Sequence, residues 1–307
     1  MEYRRLGKSG LQVSEVSFGG HQKGGYHGDF AAGLAQRAAV IHRALELGIT
    51  YFDNTEEHEA ESLSQVFREL GGRPAHATVA AMYPSWKLHR AEYPGVAADM
   101  KRRVATEIDK HLVDFDPIDV FNLCGNGLPY SRERTLGGLE ALEEARHQGK
   151  VRHFGFSTHT MDYALAMIEN HPEFCLIMFP YNVVLPRIAE ILFPVAARCD
   201  VAVVGMKAMG ARGLLNLGID AAGYGPGVTV ARTALRWVLQ SPQVACSIPA
   251  MNNLEEVEEN ATASGAPLTA DEERLVEDLR RAFDEKVRTD PAWYYHRDWT
   301  RRLYGEA

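Results

Sequence analysis

The sequence lacks most of the features that would commit a chain to disulfides, a metal, a membrane or a nucleic acid. Only four cysteines occur among 307 residues, at Cys124, Cys175, Cys199 and Cys246. They are widely spaced and form no C-x-x-C pair, which argues against a zinc knuckle or a cysteine-held iron–sulfur cluster and fits reduced thiols. Apolar runs are short. None approaches the ~20 residues that span a bilayer, and the opening Met1-Glu-Tyr-Arg-Arg has no apolar signal core. The expectation is a cytoplasmic protein with no membrane partner. Basic runs are missing too, and 33 Lys and Arg against 41 Asp and Glu leave a formal net charge of −8. Grip on a phosphate backbone needs clustered cations, so no nucleic-acid partner is expected.

What the chain does have is an alternation. Eight β-branched or aromatic runs, at 14–20, 49–54, 77–82, 118–124, 151–158, 175–183, 201–208 and 244–250, are each followed by a polar or glycine-rich stretch and then a helical period. Eight βα units predict a (β/α)8 TIM barrel. Leu34, Ala38, Ile41 and Leu45 recur on one helical face that Gly48 terminates. Leu136, Leu139 and Leu142 are expected to line a second helix, and Ala231, Ala234, Leu235 and Val238 a third.

The ends read differently. Met1 to Ser14 suggests an N-terminal capping hairpin about Gly7-Lys-Ser-Gly10 that plugs the barrel. Beyond the eighth unit, Leu275, Leu279 and Phe283 mark an extra C-terminal helix opened at Thr269. The expected organisation is one barrel domain over 1–307, with the hairpin at 1–13 and an aromatic tail at 284–307. Trp293, Tyr294, Tyr295, Trp299 and Tyr304 make that tail a lid over the mouth or a surface for a second copy in a homo-oligomer.

Six segments carry a resemblance: Tyr3-Arg-Arg-Leu-Gly-Lys-Ser-Gly-Leu-Gln-Val-Ser14, Gly48-Ile-Thr-Tyr-Phe-Asp53, Gly149-Lys-Val-Arg-His-Phe-Gly-Phe-Ser157, Pro180-Tyr-Asn182, Ala234-Leu-Arg-Trp-Val-Leu239 and Ile248-Pro-Ala-Met-Asn-Asn-Leu-Glu-Glu-Val-Glu-Glu-Asn260. In this order they resemble the aldo-keto reductase family. Met206-Lys-Ala-Met-Gly210 is similar to a bacterial branch that often ends in a cysteine-rich cluster domain, whose cysteines are missing here. The resemblance implies the barrel, a nicotinamide cofactor, NADP or NAD, and a small-molecule carbonyl, hydroxyl or sugar-like substrate. It also implies four catalytic positions. The aspartate is kept as Asp53, whereas the tyrosine is His58, the lysine Met82 and the histidine Cys124.

Those exchanges change the chemistry. Methionine carries no charge and donates no hydrogen bond, so Met82 cannot pair with Asp53. His58 titrates near neutrality, and a carboxylate such as Asp53 favours its imidazolium, which makes the pair the expected acid–base core; the plainer alternative is a histidine that only hydrogen-bonds its loop. Cys124 is a nucleophile only beside a cation or helix end, and otherwise a small apolar filler. Lys207 offers an anion site, or a Schiff base if desolvated; its bland reading is a solvated or phosphate-facing lysine. His21 adds a ligand type to Asp53, His58 and Cys124, but the spacing matches no metal motif and no metal is expected.

For the cofactor, the resemblance implies Ser157 and Thr158 at the carboxamide, with Met178 replacing the usual glutamine and Met206 the stacking aromatic. Gly210 and Arg212 fall where a loop closes over the pyrophosphate. Asn252 and Asn253 precede a helix, and a capping box from Asn253 to Glu256 leaves N–H groups for a phosphate. Glu259 and Asn260 match the adenine-facing positions. No Lys or Arg lies between Pro249 and Asn260, so NADP and NAD both remain open. Two rivals stand beside the reductase. One is a non-redox lyase, dehydratase or isomerase that uses His58, Asp53 and Lys207, and the other is a catalytically silent binding subunit.

Overall fold

The computed structural model describes residues 1–20, 30–55, 57–84, 96–125, 130–211 and 213–290. His21, Arg212 and the tail from 291 onward, with its tryptophans and tyrosines, lie outside the described residues, as does the side chain of Leu34.

Two short strands, β1 (Tyr3–Arg5) and β2 (Gln12–Ser14), pair antiparallel as the expected hairpin. The main sheet follows. Its strands are β3 (Tyr51–Asn54), β4 (Thr78–Tyr83), β5 (Ile118–Cys124), β6 (Val151–Ser157), β7 (Phe174–Pro180), β8 (Ala202–Met206) and β9 (Val244–Ser247). All seven are parallel and neighbour one another in chain order. The helices are α1 (Phe30–Glu46), α2 (Glu57–Glu69), α3 (Ala97–His111), α4 (Arg132–His147), α5 (Met161–Asn170), α6 (Ile188–Arg198), α7 (Val230–Leu239), α8 (Leu254–Ala261) and α9 (Ala270–Thr289). Among the described residues no helix is long and apolar enough to cross a membrane.

The eighth position is filled by residues 16–19. Val16 and Gly19 bridge to Ser247 and Ala250 on one side, and Phe18 bridges to Phe52 on the other. Ser17 N donates to Ser247 O at 2.8 Å, Phe18 N to Tyr51 O at 2.8 Å, and Asp53 N to Phe18 O at 2.9 Å. The run expected at 14–20 therefore closes the ring, and the (β/α)8 barrel is complete.

Strand alternation sorts the core into two layers. Tyr51, Ala80, Met82, Val120, Cys124, Met178, Val204 and Met206 pack inside the barrel, while Phe52, Val79, Ala81, Phe121 and Leu123 pack outward under the helices. Leu6 and Val13 from the hairpin region join the inner cluster. Lys8 N donates to Asp200 O at 3.0 Å, and Arg5 pairs with Asp200 at 2.6 Å, which fixes the plug at the N-terminal ends of the strands. A hollow of about 590 Å³ at that end, between Arg4, Asp200 and Gln243, is not a promising site. Its arginines already bind Asp200 and the carbonyls of Leu239, Ser241 and Val244.

Two expectations need correction. Leu136 is 40% exposed, while Leu139 and Leu142 are buried. Steps of three residues advance about 300° around a helix, so successive leucines fan away from a single stripe and Leu136 falls off it. The last helix also runs on to Thr289, so the tail begins after that residue and not at 284. Its start is as expected: Thr269 and Glu272 form a reciprocal capping box.

Candidate active site

The C-terminal strand ends assemble the candidate residues from inward-facing positions. Cys124 lies in register with Ser157, and Ser157 with Met178, across three adjacent strands. Asp53 is buried at the end of β3, and Met82 and Cys124 are buried in the inner cluster. Met82 thus occupies apolar space where the resemblance places a lysine. Cys124 sits among methionines and valines and within electrostatic reach of Lys207.

His58 stands at the start of α2. Its side chain is 21% exposed, and its Nε2 lies 4.0 Å from Oε1 of Glu59, which is itself buried. Oε2 of Glu59 accepts from Thr55 N at 2.6 Å. Gly20 passes between this carboxylate and Asp53: a Cβ there would sit 2.5 Å from both Asp53 O and Glu59 Oε2, so only glycine fits. Arg37 secures the crossing by donating to Gly20 O at 3.0 Å and to Ser62 Oγ at 2.6 Å. Burial lowers the Arg37 pKa, and the Glu59 charge opposes that shift. Glu59 and Arg37 carry no catalytic sequence signal beyond their place near the strand ends.

The opposite side of the mouth holds a pair that the sequence does not bring together. Lys207 Nζ lies 3.1 Å from His159 Nε2 and 3.6 Å from Met206 Sδ. Both residues are only partly buried overall, yet desolvation dominates at their polar atoms. Burial lowers the Lys207 amino group from its ordinary value to about 8, with the charges of Cys124 and Asp53 opposing that shift. Burial, then the Lys207 charge, hold His159 well below the ordinary imidazole value. His159 is therefore a neutral acceptor near neutrality. Lys207 also has a left-handed backbone, φ 61°. Asn182 Nδ2, at 3.1 Å, and Gly210 N, at 2.8 Å, hold its carbonyl in place. Only the position of His159 directly after β6 could have flagged it in the sequence.

On the cofactor side, Ser157 and Thr158 are buried at the end of β6, and Thr158 Oγ1 accepts from Thr160 N at 3.2 Å. Met206 ends β8. Gly210 takes φ 58°, and among the described residues a Cβ there would meet only Leu214, no closer than 3.5 Å. Asn260 is buried in α8.

The phosphate expectation at α8 changes in detail. Asn253 caps Glu256 N at 2.8 Å, but Glu256 reaches back to Asn252 N, at 2.7 Å, and to the Asn252 side chain, at 2.8 Å. The reciprocal bond is thus shifted one residue from the expected box. Glu255 and Glu256 both lie in the first turn, and no basic residue lies in the last. These elements thus offer a glycine turn after β8, hydroxyls at the β6 end, one buried amide in α8 and an acidic helix start. Among the described residues, no group of three His, Cys, Asp or Glu is placed to hold a metal ion.

The model of the aldo/keto reductase family matches residues 15–224 and 221–281. The chain belongs to the aldo/keto reductase family. Members of this family are nicotinamide-dependent oxidoreductases, so the chain is an enzyme of that kind. An uncharacterized oxidoreductase of Bacillus subtilis, YqkF, is 21% identical over 89% of this chain and 94% of its own. Methylglyoxal reductase YeaE of Escherichia coli is 24% identical over 80% of this chain and 85% of its own. The holo structure of aldo-keto reductase AKR11C1 from Bacillus halodurans superposes with a TM-score of 0.68 at 24% identity, covering 92% of this chain and 97% of that one. At that identity the likeness speaks for the fold.

Proposed function

We propose that this family member moves hydride between NAD and a small carbonyl, hydroxyl or sugar-like compound at the C-terminal mouth of its barrel, in the cytoplasm. One observation carries the reading: Asp53, Cys124, Ser157, Met206 and Lys207, far apart in sequence, all lie at the C-terminal ends of barrel strands or directly after them. A relative named for methylglyoxal, a small carbonyl, is in keeping with the substrate class.

When bound, the nicotinamide supplies or accepts the hydride. Ser157 and Thr158 would hold its carboxamide, Met206 its ring face, and Gly210 with Arg212 the pyrophosphate. Asn252, Asn253, Glu259 and Asn260 would hold the adenosine. A ribose phosphate there would meet Glu255, Glu256, Glu258 and Glu259 with no basic residue on the helix, and like charge disfavours it. NAD is therefore the preferred form.

In reduction, His58 Nε2 gives its proton to the substrate oxygen as that oxygen becomes an alkoxide, and solvent restores the proton. Glu59, at 4.0 Å, is the carboxylate beside this ring, with Asp53 a second carboxylate at the mouth. A second reading rests on Lys207, whose value of about 8 also suits non-redox proton transfer in a lyase, dehydratase or isomerase.

Fluorescence titration with NADH and NADPH, followed by nicotinamide absorbance with a panel of aldehydes and ketones, tests the proposal. Tighter NADH binding with turnover is expected. Absence of nucleotide binding would favour the non-redox reading, and binding without turnover on any carbonyl would favour a silent binding subunit.

A further inference from the structure

We infer that Lys207 Nζ holds and polarises the substrate oxygen, standing in for the two donors that Met82 and Cys124 no longer supply. The inference rests on the carbonyl chemistry proposed above. A lysine at φ 61° adopts a conformation costly to any residue with a Cβ. Bonds to its carbonyl from Asn182 and Gly210 keep it there, which fixes the origin of a long side chain that is otherwise highly variable.

The amino group is then held by contacts from two strand ends and feels the charge of two more. His159, after β6, takes a hydrogen bond at 3.1 Å, and Met206, on β8, at 3.6 Å. Asp53 of β3 and Cys124 of β5 act on it electrostatically. In the resemblance the first of these is the aspartate that pairs with the lysine, and the second is the histidine position that orients the carbonyl. Lys207 is thus a cation at the mouth whose protonated form the charge of the kept aspartate favours, and it stands on a different strand from Met82. The thioether of Met206 is a weak acceptor, so a carbonyl or alkoxide oxygen displaces it readily while His159 keeps the ammonium aimed. No covalent bond to lysine forms. The C=O electron pair moves onto oxygen as hydride reaches carbon, Lys207 stabilises the resulting negative charge, and the proton comes from His58.

Competitive acetylation read by peptide mass spectrometry tests the placement without turnover. Lys207 is expected to titrate near the value of about 8 that its burial sets, and Asp53→Asn is expected to move it lower, because the aspartate charge raises it. Acetate, offered as an oxygen ligand without nucleotide, is expected to slow the labelling of Lys207 several-fold. Titration like an ordinary surface lysine, or no protection by acetate, overturns the inference whether or not a substrate is known. With a substrate in hand, Lys207→Met should lower kcat by about 10²-fold or more, as loss of an oxyanion donor does, with NADH affinity unchanged and partial rescue in Lys207→Arg. Unchanged kcat in Lys207→Met overturns it. A borohydride-trapped adduct on Lys207 also overturns it, by making the lysine a nucleophile. Failure of the wild type to transfer hydride sinks the proposed function alone, since the labelling arms stand apart from it.

Discussion

Lys207 Nζ and His159 Nε2 lie 3.1 Å apart although 48 residues separate them in the chain. The contact holds a cation in a place that burial makes unfavourable for it, and this has a measurable cost. Folding lowers the lysine from 10.5 to about 8. The unfolded chain therefore binds more protons between those values, and stability rises with pH through that window. Lys207→Met is expected to be more stable than the wild type, by roughly 0.5–2 kcal/mol as for other relieved functional strain. The gain should be full below pH about 8 and fade as pH rises toward the unfolded value. Urea denaturation at several pH values checks it; a less stable methionine variant would contradict the account of burial. Activity should show the matching trend, with kcat/KM falling as pH rises through about 8 and the ammonium is lost.

His58→Ala should lower kcat by about 10²-fold or more, the usual range for a lost general acid, with NADH affinity unchanged. Glu59→Gln should lower it less, because the ring stays in place and loses only its carboxylate neighbour. Steady-state kinetics and nucleotide titration on both variants check the order. Full activity in His58→Ala removes His58 from the mechanism.

Glu255→Lys should narrow the preference for NADH over NADPH by raising NADPH affinity about tenfold, the effect of ~1.4 kcal/mol from one reversed charge near a phosphate. Glu255 is exposed in the first turn of α8, so the fold tolerates the change. Paired titrations in low and high salt read the outcome, and the gain should shrink in high salt.

Glu272 is fully buried and holds Arg236, at 2.9 Å, while reaching the Thr269 N–H, also at 2.9 Å. Burial alone would raise its pKa, but the Thr269 N–H and the Arg236 and Arg232 charges outweigh that and keep it below the ordinary value. Its contribution is therefore full above the unfolded value of 4.5 and lost as pH falls through the lower folded one. Glu272→Ala should cost about 3–5 kcal/mol, because it leaves Arg236 buried without its anion. Glu272→Gln should flatten the acid limb of stability. Thermal melts across that range decide.

The barrel was legible in the sequence because its signal repeats: each apolar run alternates, so Tyr51 and Met82 face inward while Phe52 and Ala81 face outward. The site was legible only in part. Asp53, Cys124 and Met206 could be assigned because the resemblance names their positions, on strands that the apolar runs had already located. His159 was not singled out, because its partner comes from another strand end and no periodicity links the two. Glu59 escaped for a similar reason, since a helix start beside a strand reads as surface until Gly20 and Arg37 fold over it.

The seam joining Ser17 to Ser247 bears on how this chain is made. The staves on either side of the closing run come from opposite ends of the polypeptide, so the ring stays open until most of it has left the ribosome. A nascent or truncated product ending before Ser247 would expose two raw sheet edges at once, the surfaces most prone to sticking to other chains.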